Sequence, residues 1–328
     1  MTDTPAILVA GGAGYIGAQT CKALQRAGYL PVTFDNLSTG HAEAVKWGPM
    51  VKGDLRDKDL VRGVLRRYGV QGVLHFAAYS LVAESVRDPA KYYDNNVGAA
   101  TAFASACVEA GVRAFVFSST AATYGVPSLS PIPEDHPTGP INPYGASKLA
   151  FEGALRWLGE AHGLRWNALR YFNAAGADPD GEVGESHEPE THLIPLLCQA
   201  AEGKGAPLTV FGTDYDTADG TCVRDYIHVV DLADVHVLAL RRLLEGGPSG
   251  VYNVGTGEGA TVKQIIDAAR AALGVEVPHS FGPRRAGDPP SLVADSSRLR
   301  RDFDWRPAHS DLDTIIRTAA RWQRERPY

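Results

Sequence analysis

Short apolar runs alternate with helix-length segments through the first half of the chain. Residues 7–10, 31–34, 73–76, 113–117 and 166–170 are mostly apolar or β-branched, too short for helices and closed by polar or glycine-containing turns. Near-continuous apolarity over so few positions predicts strands covered on both faces, as in a parallel sheet. Between them, residues 17–27, 58–68 and 97–110 are long enough for helices. The pattern therefore predicts βαβ winding and an α/β fold, a doubly wound parallel Rossmann sheet. After Asn173 it loosens, and Gly, Pro and acidic residues crowd positions 174–190. The domain change is expected there, with a dinucleotide-binding domain over 1–173 and a smaller α/β substrate domain over 174–328. In the latter, residues 193–202 and 261–273 predict helices, the second opened by a Thr261 cap.

Composition changes the picture mainly by exclusion. With 44% hydrophobic and 21% charged residues, the 328-residue chain is an ordinary folded protein rather than a disordered or fibrous one. A net charge of −6 leaves no basic surplus for a phosphate backbone, so nucleic-acid binding is not expected. Cys21, Cys107, Cys198 and Cys222 form no C-x-x-C pair, which predicts neither a zinc site nor a disulfide framework. His187 and His192 sit in an acidic stretch, but nothing else in the chain supplies ligand spacing, and no metal is expected. Met1 to Pro5 carries Asp3 and no Lys or Arg ahead of Ala6 to Ala10, unlike a secretory signal. No apolar run reaches the roughly 20 residues that span a bilayer. A cytoplasmic protein, without a membrane partner, is expected.

Directly after the first strand comes Gly11-Gly12-Ala13-Gly14-Tyr15-Ile16-Gly17, leading into a helix. A pyrophosphate must approach such a backbone closely, where any Cβ would intrude, and the helix N-terminus then offers N–H donors and partial positive charge. Asp35 ends the second strand eighteen residues past Gly17, near the spacing at which a carboxylate meets the adenosine ribose. Asn36, Leu37 and Ser38 follow, with no Arg for a 2′-phosphate, so NAD is favoured over NADP. Gly53-Asp54-Leu55 fits either an adenine contact or a solvated helix cap.

Asn142-Pro143-Tyr144-Gly145-Ala146-Ser147-Lys148 opens another helix, with Asn142 as cap, Pro143 in the first turn and Gly163 at the end. Leu149, Leu155 and Leu158 are expected on its buried side. Tyr144 and Lys148 share a face, and no other Tyr in the chain has a Lys four residues on. A phenol is a poor base at its free pKa of about 10, and a neighbouring cation and a positive nicotinamide ring both favour phenolate, moving it towards neutrality. Upstream, Phe117-Ser118-Ser119-Thr120 falls where a strand should end at the ligand edge of the sheet, and Thr120 can hydrogen-bond a sugar hydroxyl and Tyr144 together.

Together with Tyr171-Phe172-Asn173, these motifs resemble the extended short-chain dehydrogenase/reductase superfamily over nearly the whole chain. Within it, Asp35-Asn36-Leu37, Tyr92-Tyr93-Asp94-Asn95-Asn96, Arg224-Asp225-Tyr226-Ile227-His228-Val229 and Arg285-Ala286-Gly287-Asp288 resemble the UDP-glucose 4-epimerase family. The resemblance implies NAD held by the glycine loop (Gly11, Gly14, Tyr15, Ile16, Gly17), by Asp35, Asn36, Asp54 and Leu55, and by Phe76, Ala77 and Ala78. Asn95, Ser118, Tyr144, Lys148 and Tyr171 complete that set. It implies Tyr144 as general base, Lys148 as its assistant and Thr120 in the place where many relatives carry Ser. For the UDP-sugar it implies Asn173, Arg224 and Arg285 on the diphosphate and Asp288 on the uridine ribose, with Leu193, Phe211, Leu292 and Thr120 also lining the substrate. Paired guanidiniums suit a pyrophosphate, each presenting a planar fork to two oxygens. A homodimer is implied by the same resemblance.

The implied reaction takes the proton from the sugar 4-hydroxyl as hydride passes to NAD, turns the 4-keto sugar, and returns hydride to its other face. Two positions depart from the family pattern. Ser80 stands where many members have Lys, which bears on NAD retention, and Leu292 stands where members restricted to unsubstituted hexoses often have Tyr, which leaves room for a 2-acetamido group. A UDP-pentose or UDP-N-acetylhexosamine 4-epimerase is therefore the alternative. A 4,6-dehydratase needs a further acid and base after Thr120, where Ala121-Ala122 cannot transfer protons. A non-catalytic NAD sensor could dispense with Tyr144 and Lys148.

Overall fold

The computed structural model describes residues 4–285 and 288–328; Met1 to Asp3, and Ala286 and Gly287 of the Arg285-to-Asp288 motif, lie outside the described residues. The strands in chain order are β1 (Ala6–Ala10), β2 (Leu30–Asp35), β3 (Met50–Lys52), β4 (Gly72–His75), β5 (Ala114–Thr120), β6 (Arg165–Tyr171) and β7 (Asn173–Ala175). They continue with β8 (Leu208–Phe211), β9 (Val223–His228), β10 (Gly250–Val254), β11 (Gly259–Thr261), β12 (His279–Gly282) and β13 (Ser291–Leu292). The described residues form two compact units. One contains the chain up to Gly125, Pro137–Tyr171 and Ala233–Tyr252; the other contains Val126–His136, Phe172–Leu232 and Asn253–Tyr328.

The first unit is built on a seven-stranded sheet of order β10-β6-β5-β4-β1-β2-β3, with every ladder from β3 through to β6 parallel. All five residues of β1 are buried, as expected of a strand covered on both faces. Strand order reverses between β1 and β4, so the residues after Ala10, His75 and Thr120 emerge at the carboxyl edge around one switch point. β5 runs three residues past the apolar stretch, because Ser118, Ser119 and Thr120 pair with Leu169, Arg170 and Tyr171. Polar side chains end the apolar pattern there but not the ladder.

The helix expected over 97–110 is instead a π-helical stretch, Asp94–Ala99, running into an α-helix, Ala100–Glu109. Helix Pro143–His162 has the expected cap, with Asn142 Oδ1 accepting from Gly145 N–H at 2.8 Å, and ends on left-handed Gly163. Its core face differs in detail. Leu155 is fully buried and Leu158 packs against the core, but Leu149 is only half-buried and Phe151 takes the central place. The buried positions Lys148, Glu152 and Leu155 follow the helical period, and Leu149, one residue past Lys148, points about 100° away from that face.

In the second unit, β11-β9-β13 form one ladder with β7 also on β9, and β8 pairs with β12. Helices Leu193–Ala201, Val262–Leu273 and Leu312–Glu325 pack Ile194, Leu197, Ile265, Ile266, Ile315 and Ile316 into its core. Thr261 caps the second of these in a full capping box with Gln264. Among the described residues no helix is long and apolar enough to cross a membrane.

Candidate active site

The loop after β1 is shaped by close approach. Gly11 has φ +81°, and a Cβ there would lie 2.6 Å from Ala77 N; one on Gly17 would lie 2.1 Å from Gly11 O. Gly14 is the N-cap of helix Tyr15–Arg26 and brings no capping side chain, so the first-turn N–H groups stay available to an anion. Asp35 Oδ2 accepts from Ala13 N–H at 3.0 Å and Oδ1 from Leu37 N–H at 2.8 Å, so the carboxylate braces the glycine loop. Leu37 is held at φ +61°, an uncommon conformation for so bulky a residue. A bare cradle at a helix N-terminus with an acid at the end of β2 fits a dinucleotide.

The neighbouring candidates form a connected rim. Asn36 Nδ2 donates to Asp54 Oδ2 at 3.2 Å, and Arg56 Nη1 donates to Asp54 Oδ1 at 3.1 Å. The helix cap nearby is Asp57, which accepts from Leu60 N–H, so Asp54 is not the cap. Leu55 is buried in the core cluster, whereas Tyr15, Ile16, Phe76, Ala77 and Ala78 are half-buried and Ser80 is exposed. Phe76 and Ala77 both donate backbone N–H to Ala10 O, at 2.7 and 3.1 Å. Asn95 Nδ2 donates to Asn96 Oδ1 at 3.0 Å, and buried Asn96 clasps Tyr79 through both its N–H and its carbonyl, each at 3.0 Å.

At the carboxyl end of β5, Thr120 hydrogen-bonds Tyr144. Its Oγ1 also accepts from Ala122 N–H at 3.1 Å, and a Cβ on Gly145 would lie 2.5 Å from Ala122 O, so the tyrosine helix starts hard against this turn. Lys148 is buried. Its Nζ donates to Ser118 O at 2.9 Å and lies 4.9 Å from the Phe117 ring centre and 5.9 Å from that of Tyr144. Burial pushes the Lys148 ammonium down to about 7, against the attraction of Glu152, and pushes the Tyr144 phenol above its ordinary value, against the Thr120 hydrogen bond. For both groups desolvation is the largest cause. Tyr171 Oη and Ser118 Oγ are hydrogen-bonded to each other.

Beneath this group lies a network that sequence reasoning missed. Glu152 is in a buried ion pair with Arg170, whose Nε lies 3.0 Å from Oε1, and Ser119 Oγ donates to the same carboxylate. Arg170 stacks 4.8 Å over the Tyr124 ring. The available signal was Glu152 itself, one further helical step of four beyond Tyr144 and Lys148 on a face that must be buried.

In the second unit, Asn173 on β7 donates to Asp225 O at 3.1 Å, Arg224 on β9 is ion-paired with Asp288, and Leu292 on β13 is in register with Arg224. Arg285 lies 4.0 Å over the Phe211 ring, and Asp288 N–H donates to Arg285 O at 3.2 Å. Leu193 opens its helix and packs against the unit's core. Much of the Arg224-to-Val229 motif is scaffold: buried Asp225 accepts from Thr256 N–H at 2.8 Å, Gly257 N–H at 3.0 Å and Ala294 N–H at 3.1 Å, and His228 Nδ1 accepts from Val230 N–H at 3.1 Å.

A doubly wound sheet with a dinucleotide cradle at its switch point and a Tyr-Lys pair beside it defines a nucleotide-dependent enzyme of the Rossmann type. Residues 7–255 match the NAD dependent epimerase/dehydratase family, and the chain belongs to that family. It is 53% identical over 320 residues to the UDP-glucose 4-epimerase of Rhizobium meliloti (strain 1021), covering 98% of this chain and 97% of that protein. The crystal structure of the Brucella ovis UDP-glucose 4-epimerase in complex with NAD superposes with a TM-score of 0.95 at 50% identity, covering 98% of this chain and 99% of the other. That of a Stenotrophomonas maltophila UDP-glucose-4-epimerase with NAD and formylated UDP-arabinopyranose also gives 0.95, at 39% identity, covering 98% of each.

Proposed function

We infer that this chain is an NAD-dependent isomerase, a UDP-glucose 4-epimerase that interconverts UDP-galactose and UDP-glucose through a 4-keto sugar. The observation that carries the reading is the placing of Tyr144 and buried Lys148 on successive turns of helix Pro143–His162, with Lys148 Nζ 2.9 Å from Ser118 O near the carboxyl end of β5 and 5.9 Å from the Tyr144 ring centre. The NAD set is that named from the sequence, centred on the glycine loop, Asp35, Asp54 and Asn95. Bound there, the cofactor accepts and returns the hydride of the sugar 4-carbon, so no external oxidant is consumed.

The chain's own residues supply the remainder. Tyr144 as phenolate, the form that the Lys148 ammonium and the nicotinamide ring of bound NAD favour against burial, takes the proton of the 4-hydroxyl and later returns it, and Thr120 bridges that hydroxyl and the phenol. Asn173, Arg224 and Arg285 hold the diphosphate and Asp288 the ribose, so that binding energy remote from the reaction retains the nucleotide while the sugar turns. In this reading residues 1–173 serve the cofactor and 174–328 the UDP-sugar. Leu292, beside Arg224 in the ladder, favours a second reading in which UDP-N-acetylhexosamines are also accepted. The reading includes a cytoplasmic site of action, supported by four free, buried cysteines. It also includes a homodimer, supported by exposed Val82, Val86, Tyr93 and Trp157 on helices that pack on one another.

The test is incubation of the purified protein with UDP-galactose and no added NAD. Conversion to UDP-glucose is expected, and Tyr144→Phe should retain NAD while losing about 10²–10⁴-fold in kcat. Nucleotide binding without turnover by the wild type, or near-normal turnover by the variant, refutes the reading.

A further inference from the structure

The loop that leads into helix Leu193–Ala201 folds four side chains onto one point. Glu185 Oε1 lies 2.8 Å from His192 Nδ1 and 3.2 Å from His187 Nδ1. Glu190 approaches from the other side, Oε1 at 2.9 Å from His192 Nδ1 and Oε2 at 3.7 Å from His187 Nδ1. One ligand atom from each residue fits within 4.8 Å of all the others. In a tetrahedral zinc site with bonds of about 2.0–2.1 Å, neighbouring ligand atoms are about 3.3 Å apart. With Oε1 as the ligand atom of Glu190, the separations of Glu185 Oε1 and Glu190 Oε1 from the imidazole nitrogens include 2.8, 2.9 and 3.2 Å, a little inside that spacing, and Glu190 Oε2 is the alternative at 3.7 Å from His187 Nδ1.

Hydrogen bonding within the cluster satisfies only part of this arrangement. A single Nδ1 carries at most one proton, yet His192 Nδ1 faces two carboxylate oxygens at 2.8 and 2.9 Å. His187 Nδ1 is buried and lies 3.2 and 3.7 Å from the two carboxylates without meeting hydrogen-bond geometry to either. Both imidazoles turn the same nitrogen inward, towards carboxylates only 6% and 8% exposed. Two buried carboxylates and two converging imidazole nitrogens are the donor set of a cation.

The surroundings hold the donors in place, as outer contacts do in metal sites. Glu190 Oε1 accepts from the N–H groups of Thr191 and His192 at 2.7 and 2.8 Å. Trp322 Nε1 donates to Glu185 O at 2.9 Å, and Gly184 sits so close to that indole that a Cβ would lie 2.4 Å from it. His192 is the N-cap of the following helix but caps no N–H with its side chain, which is turned into the cluster.

We propose that Glu185, His187, Glu190 and His192 form a closed structural site for one divalent cation of the zinc class. Mixed imidazole and carboxylate donors suit zinc better than magnesium or calcium, and four protein ligands leave no open position for chemistry. The ion ties the segment around Glu185 to the start of helix Leu193–Ala201.

The test uses the full chain purified without a metal column and dialysed against metal-free buffer. About one zinc per chain is expected by mass spectrometry of the metal content, and chelation should lower Tm by about 5 °C or more, restored by Zn²⁺ but not by Mg²⁺. Cobalt in place of zinc should give the visible absorption of a tetrahedral site. His187→Gln and Glu185→Gln should each weaken zinc binding by more than about tenfold, since loss of even an outer contact costs that much, while His162→Gln, outside the cluster, should not. A wild-type protein that holds no zinc and whose Tm ignores added Zn²⁺ overturns the site, as does undiminished zinc binding by both cluster variants; the four residues are then an ion-pair network only.

Discussion

Lys148 and Tyr144 lie one helical turn apart, and burial moves both towards their neutral forms. Lys148 falls to about 7 from an ordinary value of 10.5, so the native chain binds that proton less tightly than the unfolded one. Linkage then fixes the sign: this group's effect on stability becomes more favourable as pH rises from about 7 to 10.5. Denaturant unfolding of the wild type and Lys148→Met across this window should show the difference between them shifting in favour of the wild type, by on the order of 3 kcal/mol. A difference that stays flat with pH means that Lys148 is charged throughout, and that Glu152 and Ser118 outweigh burial. The pair was legible in the sequence as a spacing. Its electrostatics were not, because desolvation depends on what β4 and β5 place around the ammonium, including the Phe117 ring.

Among the elements, the strand–loop–helix of β1 and Tyr15–Arg26 is the most tightly determined. Gly17→Ala would drive a Cβ to 2.1 Å from Gly11 O, a backbone atom that cannot move without undoing the cradle. Fluorescence or equilibrium dialysis with NAD should find binding weakened by about 100-fold or more, since overpacking of this kind costs about 1–3 kcal/mol or above. Gly69→Ala, at a helix end where a Cβ meets nothing within 4 Å, should leave NAD binding unchanged and cost only the strain of its φ of +59°. Equal affinity in wild type and Gly17→Ala would mean that the loop is not the cofactor cradle. This element was readable because three local signals agree: an apolar run, glycines at the turn and Asp35 at the next strand's end. The π-helical stretch Asp94–Ala99 was not, since Asn96 is held there by Tyr79 and by Ser147 of a distant helix.

For the molecule as a whole, apolar residues left on the surface carry the expectation about assembly. Val86 is 63% and Trp157 61% exposed, on helices Val82–Arg87 and Pro143–His162. Light scattering should give about twice the chain mass of 35.0 kDa for the wild type and the single-chain mass for the double variant Val86→Asp, Trp157→Glu, with a melting transition moved by no more than a few degrees. A monomeric wild type, or a double variant that stays dimeric, removes this surface as the interface.

The amino-acid order alone determined the parallel α/β class, the glycine cradle with Asp35, and the Tyr144–Lys148 face, because each follows from strand and helix periodicity within one or a few successive elements. Only the tertiary structure decided that β10 joins the seven-stranded sheet, that Glu152, Arg170 and Ser119 underlie the lysine, and that Glu185, His187, Glu190 and His192 converge. The first two depend on distant segments being brought within a few ångströms; the last depends on how one eight-residue loop is folded back on itself, held by Trp322 from the last helix, and none of this geometry arises until the core has closed.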